Sequence, residues 1–238
     1  MHQIIVNDIV VDVVRKDIKN LHLAVYPPQG RVRVAVPLYV EDDAVRLAVI
    51  SKLPWIKQQQ KQFQAQERQT ERQYISGESH YFQGQRYLLN VEYQDETPSV
   101  KIRNKKTLEL VVRPDSGIEQ RGRVLLDWYR KHLKEQTAPL IEKWQTIIGV
   151  EVDEWRIKQM KTKWGSCNIE ARRIWLNLEL AKKPVQCLEY VIVHELVHLL
   201  ERHHNERFIA YMDTFLPNWR MLRDELNREP LAYETWDY

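Results

Sequence analysis

The apolar residues of this chain change their spacing once, and that change limits what the chain can fold into. Up to Val112 they fall on alternate positions, as in Leu21, Leu23 and Val25 and again in Val32, Val34 and Val36. A period of two buries one face of a β-strand. After Pro114-Asp115-Ser116 the spacing becomes three to four, through Val124, Leu125, Trp128, Leu133, Leu140, Ile141, Trp144 and Ile148, which is the stripe of an amphipathic helix. The expected fold is α+β, with a β-rich region at 1–115 that holds one or two helices and a second domain at 116–238.

Within the first region the two alternating runs flank Pro27-Pro28-Gln29-Gly30 and predict a β-hairpin. Glu41, Asp42 and Asp43 then open a helix through Val45, Leu47, Ala48 and Ile50. A second helix from Pro54, carrying Trp55, Ile56 and Phe63, fades into the polar stretch QAQERQTERQ. Strands are expected around Tyr81-Phe82, Tyr87 to Tyr93, Val100 to Arg103 and Leu108 to Val112. In the second region Pro139 is expected to split or kink the helical stretch. A strand from Val152 to Met160, a turn at Trp164-Gly165-Ser166-Cys167 and a strand from Ile174 to Leu178 then lead to a helix starting near Pro184. The sequence offers no visible repeat and no flexible linker.

Composition removes several function classes. At 43% hydrophobic over 238 residues the chain can bury a substantial core. Its 36 Lys and Arg against 33 Asp and Glu leave a net charge of +3, so bulk polyanion binding is not indicated. No nucleic-acid motif accompanies the aromatic residues Trp128, Tyr129, Trp144, Trp155, Trp175 and Trp219, which are expected to serve the core. No apolar run approaches the roughly 18 residues of a membrane span, and Asp8 and Asp12 interrupt the N-terminal apolar stretch. With only Cys167 and Cys187, the chain suits a reducing compartment, and a cytoplasmic location is expected.

The stretch Tyr190-Val191-Ile192-Val193-His194-Glu195-Leu196-Val197-His198 contains H-E-x-x-H inside an apolar helix. Residues four apart lie about one helical turn apart on one face, so both imidazoles can reach a single Zn²⁺. Glu195 lies beside them, where its carboxylate can take a proton from a metal-bound water. Burying two imidazoles and a carboxylate for structure alone would cost several kcal/mol of desolvation, on the order of 2–7 per unsatisfied group. Three candidates for a third ligand follow: Glu201, His203 and His204. An unbroken helix favours Glu201, whereas His204 has the spacing of the extended H-E-x-x-H-x-x-G-x-x-H pattern, in which this chain has Glu201 at the Gly position.

The segments MKTKWGSC, IWLNLEL, YVIVHELVHLLERHHNERF and FLPNWR resemble the YgjP-like metallopeptidase-domain family, related to the SprT and WLM groups of zincins. The resemblance is densest over residues 155 to 220 and extends less specifically to the WIKQQ segment upstream. It implies a zincin-like C-terminal domain with His194, His198 and His204 as zinc ligands and Glu195 as the catalytic carboxylate. His204-Asn205-Glu206-Arg207-Phe208 matches the family's H-N-x-x-F-like setting and tips the third ligand toward His204.

Around this motif Lys161, Lys163, Arg172 and Arg173 are candidate substrate or oxyanion contacts, and Asn177 lies on a strand that could offer its edge to a peptide. Ser166 or Cys167 as nucleophile would need an adjacent base, and Cys167 reads more simply as a small buried thiol. The expected function is a zinc-dependent hydrolase acting on a peptide or protein. The first alternative is a nucleotide phosphoanhydride hydrolase that uses the Lys161–Arg173 cations for phosphate. The second is a non-catalytic module whose zinc is closed by a fourth protein ligand, Glu201 or Cys167.

Overall fold

A computed structural model describes residues 2–26, 29–65, 72–160 and 163–228. The chain divides into two compact units, one within residues 1–71 and the other at 72–229. The boundary expected after residue 115 falls inside the second unit, because the strands of 79–112 share a core with the helices that follow them.

In the first unit β1 (His2–Val6), β2 (Ile9–Lys16), β3 (His22–Tyr26) and β4 (Arg31–Pro37) form a sheet of order β1-β2-β4-β3, with β2 and β4 parallel and both outer pairs antiparallel. The expected hairpin is the β3–β4 pair. Its residues 27 and 28 lie outside the described residues, as do 66–71 of the polar stretch. The β1–β2 hairpin is an addition, turned at Asn7 in the left-handed region. Alternation puts Val11, Val13, Val32, Val34 and Val36 on the inner face, where Val45 and Val49 of α1 (Asp42–Ser51) and Ile56 of α2 (Leu53–Ala65) close the core. Asp12 points to the outer face but is buried there, held by Arg31 and by Gln3 Nε2 at 2.8 Å.

The second unit begins with β5 (Ser79–Phe82), β6 (Gln85–Tyr93), β7 (Ser99–Arg103) and β8 (Thr107–Val112), the four strands anticipated from alternation. Their order is β5-β6-β8-β7, again with the middle pair parallel and the outer pairs antiparallel. A backbone repeat therefore exists where the sequence displays none. α3 (Ile118–Ile148) runs unbroken through Pro139. Proline removes one helical N–H, but burial of Leu125, Tyr129, Leu133, Ile141, Trp144 and Ile148 along the same helix outweighs that loss. Gly149, with φ 76°, ends the helix in the left-handed region, where glycine is favoured.

A three-stranded sheet follows, built from β9 (Glu154–Lys158), β10 (Gly165–Asn168) and β11 (Arg173–Asn177) in the order β10-β11-β9. The expected turn at 164–167 is thus mostly an edge strand, and β11 is the middle strand. A 3₁₀ turn at Leu178–Lys182 leads to α4 (Val185–Val197), capped by Pro184 as anticipated, then α5 (Glu206–Phe215) and α6 (Trp219–Arg228). Two devices fix α4. The β5–β6 turn donates Gln83 N–H to Ala181 O and Gly84 N–H to Lys182 O, both at 3.0 Å, and a Cβ on Gly84 would lie 2.7 Å from Pro184 Cγ. From α3, Trp144 Nε1 and Lys143 Nζ both donate to Glu189 Oε1, at 2.9 and 2.8 Å. Among the described residues no helix is long and apolar enough to cross a membrane.

Candidate metal centre

α4 is apolar on nearly every side: Leu188, Val191, Ile192, Val193, Leu196 and Val197 are all buried. His194 and Glu195 enter the core because the helix carrying them does. The helix stops at Val197, with His198 as its C-cap, and tightens through Leu199 N–H to Leu196 O (3.0 Å) and Leu200 N–H to Val197 O (2.9 Å). The chain then bends back through residues 201–205, and the Asn205 side chain accepts Phe208 N–H at 3.0 Å to start α5. No residue from 198 to 205 has a positive φ, so the reversal needs no glycine at 201.

That reversal brings His204 onto His194 and His198. One ring nitrogen from each lies within 4.8 Å of the others, with His194 Nε2 and His204 Nε2 3.0 Å apart. Tetrahedral Zn–N bonds of about 2.0–2.1 Å separate ligand nitrogens by about 3.3 Å, so this spacing fits one small divalent ion. His198 Nδ1 sits 3.1 Å from Glu201 O, an arrangement in which Nδ1–H donates to the carbonyl and leaves Nε2 for a metal. Phe208 packs against all three imidazoles, with centroids 4.7–4.9 Å away. Burial, reinforced by the neighbouring His198 and His204, lowers the His194 pKa to about 3 and so keeps it neutral, the form able to bind a metal. Burial likewise lowers His198.

Glu195 is 5% exposed, and among the described residues its Oε2 has no hydrogen-bond partner. Burial pushes its carboxyl up to about 8, partly opposed by Lys163. The carboxylate lies against the backbone of β10: a Cβ on Gly165 would sit 2.5 Å from Glu195 Oε1. Gly165 and Tyr190 were given no role from sequence, and Phe208 figured only as the last residue of the H-N-x-x-F-like setting. Tyr190 had a readable signal, lying one turn before His194 on the same helix; it stacks on Trp219 with centroids 6.5 Å apart.

The other anticipated residues divide. Glu201 turns its carboxylate to His203 N–H at 3.1 Å and stays out of the histidine cluster, as does the exposed His203. Lys163 lines a cleft of about 1000 Å³ together with His194, Glu195, His198 and His204. Lys161 lies outside the described residues. Arg172 and Arg173 do not line that cleft: they sit at the far end of β11, Arg172 on Glu151 (3.2 Å) and Asp153 (3.7 Å), Arg173 on Glu154 (3.3 Å). Asn177 offers no strand edge, because β11 is paired on both sides. Its fully buried amide donates to Met160 O (2.7 Å) and Lys163 O (2.8 Å) and accepts from Met160 and Glu179 N–H, both at 3.2 Å. Among the described residues, the sheet edge left unpaired beside the histidine cluster belongs to β10. Cys167 also lines the cleft, but burial, reinforced by Glu195, pushes its thiol up to about 12, and it is not part of the ligand cluster.

The family model for the YgjP-like metallopeptidase domain matches residues 19–229, and the chain belongs to that family of metallopeptidases. Among solved structures, the metallopeptidase zymogen abylysin of Pyrococcus abyssi is similar at 18% identity and a TM-score of 0.37, over 40% of this chain and 99% of its own. The metallopeptidase zymogen jannalysin of Methanocaldococcus jannaschii is similar at 19% identity and a TM-score of 0.35, over 38% of this chain and 92% of its own. No curated protein is a significant match.

Proposed function

We propose that the chain is a zinc metallopeptidase in which His194, His198 and His204 hold the ion and Glu195 is the general base. The observation that carries this reading is the convergence of three imidazoles, within 4.8 Å, beside a buried carboxylate with an unpartnered oxygen. Three nitrogen donors suit Zn²⁺ and leave a coordination position open, as catalytic sites do. When bound, the ion supplies Lewis acidity toward water and toward the scissile carbonyl. Glu195 takes a proton from the attacking water at its carboxylate and delivers it to the leaving amine. Burial raises its affinity for that proton, and Gly165 leaves it room beside the free edge of β10, where an extended peptide can add as a strand.

Metal content and hydrolysis are measured together on wild type, His194→Ala and Glu195→Gln, against casein and a panel of nucleoside triphosphates. The expected result is about one zinc per chain, lost in His194→Ala, and casein hydrolysis lost in Glu195→Gln while the metal stays. Metal-free wild type, or full activity in Glu195→Gln, would refute the proposal. Turnover of triphosphates without casein would move the chain to phosphoanhydride chemistry, a reading weakened by the removal of Arg172 and Arg173 from the cleft.

A further inference from the structure

We propose that this cleft selects peptides with a carboxylate side chain close to the cleaved bond, read by Lys163, Arg202 and Arg223. The inference rests on the peptidase reading above and adds a substrate class to it. The three cations come from three different places, Lys163 just before β10, Arg202 in the reversal after α4 and Arg223 on α6, yet all line the cleft that contains His194 and Glu195. The acidic residues lining it are Glu170 and Glu195 itself.

These cations share the wall of the cleft, and two of them also lack the partners that hold several others in the unit. Arg130 pairs with Asp127 at 2.5 Å, Arg220 with Asp213 at 2.5 Å, and Arg172 and Arg173 are held as described. Among the described residues the side chains of Lys163 and Arg202 have no ion-pair or hydrogen-bond partner, whereas Arg223 bonds its chain neighbour Asp224, at 2.9 and 3.0 Å, and lies over the Trp219 ring. Trp164, Tyr190, Leu199 and Leu200 give the same cleft apolar walls. Low-dielectric walls focus the field of such charges into a cleft and draw anions there. A lining of apolar walls and separate cations suits the side chains of a peptide.

The test uses matched peptides that differ only by Glu, Gln or Lys at each position flanking the cleavage site. They are assayed on wild type and on the triple variant Lys163→Gln/Arg202→Gln/Arg223→Gln. Wild type is expected to favour Glu over Gln at one position or more by about fivefold or better in kcat/KM, a preference that shrinks with added salt and falls toward one in the triple variant. Because each result is a ratio on one enzyme, a general loss of Glu195 function cancels. Equal cleavage of Glu and Gln peptides by wild type, or an unchanged ratio in the triple variant, overturns the proposal and leaves the peptidase reading standing. Binding is followed in parallel by anisotropy of dye-labelled peptides on Glu195→Gln protein. Charge-selective binding that is lost when the three cation substitutions are added to Glu195→Gln, with no cleavage by wild type, keeps the recognition and sinks the hydrolysis. Binding of inorganic tripolyphosphate but of no acidic peptide overturns it in favour of a phosphate ligand.

Discussion

Replacing Gly165 with alanine would put a Cβ 2.5 Å from Glu195 Oε1, 2.8 Å from its Cγ and 2.9 Å from its Cδ. Gly165 lies outside the left-handed region, so alanine brings no backbone strain of its own, and the collision with Glu195 is the whole perturbation. To restore an ordinary contact of 3.4 Å the carboxylate must retreat by about 0.9 Å. Misplacing a reacting group by about 1 Å costs on the order of 10²-fold, so kcat/KM is expected to fall about a hundredfold. Zinc content should stay at the wild-type level, because the three nearest atoms met by the new methyl group all belong to Glu195 rather than to a histidine. Overpacking also costs about 1–3 kcal/mol of stability. That loss should vanish in a Glu195→Ala background, where the methyl group has space, which a thermal-unfolding cycle over the four proteins measures. Additive destabilisation in the double variant, or loss of metal in step with activity, would refute the assignment of Gly165 to Glu195.

Three further outcomes follow from the site. His204→Ala should abolish zinc retention on a desalting column while Glu201→Ala keeps it, since Glu201 bonds His203 N–H instead of joining the cluster; the reverse result would exchange the two residues. In chelator-stripped protein, the stability that neutral His194 provides is present above its usual pKa of 6.5 and lost as pH falls toward 3, whereas the stability that protonated Glu195 provides is present below 4.5 and lost as pH rises through about 8. The melting temperature of the metal-free protein should therefore peak near pH 4.5–6.5, and added zinc, by favouring the carboxylate, should flatten the alkaline fall; a metal-free profile that rises from pH 6 to 9 would contradict this. Asn177→Ala should cost about 3 kcal/mol or more by leaving buried backbone groups unpaired, with KM unchanged in the folded fraction, whereas a substrate contact would raise KM at little cost in stability.

The sequence shows most clearly the features that depend on local spacing. Alternation located β5 to β8, three-to-four spacing located α3, and H-E-x-x-H placed His194 and His198 on one helical face. His204 needed the resemblance as well, because its approach depends on where α4 stops, and that is decided by packing across the unit. Trp164-Gly165-Ser166-Cys167 read as a turn because glycine and serine favour turns, yet pairing with β11 overrides that preference. Arg172 and Arg173 looked close to the motif in sequence but occupy the end of β11 beside Glu151, Asp153 and Glu154, and nothing local reveals which end of a strand faces a cleft. The part played by Gly165 is a contact across 30 positions of chain with Glu195, invisible to any window of neighbouring residues.

The doubled strand arrangement carries a hazard of its own. Two sheets with the same order and the same pairing senses, joined in one chain, invite a strand of one to be taken up by the other while both are still forming. Their interiors differ enough to discourage the exchange. The buried side chains of the first core are valine and isoleucine, whereas the sheet of the second adds Phe82, Tyr87, Leu89, Leu108 and Leu110 to Val100 and Val112. A strand swapped into the valine layer would bring oversized side chains, at a cost of about 1–3 kcal/mol per misplaced residue. Divergence of the two interiors, which hides the repeat from the sequence, thereby favours pairing of each sheet within its own unit.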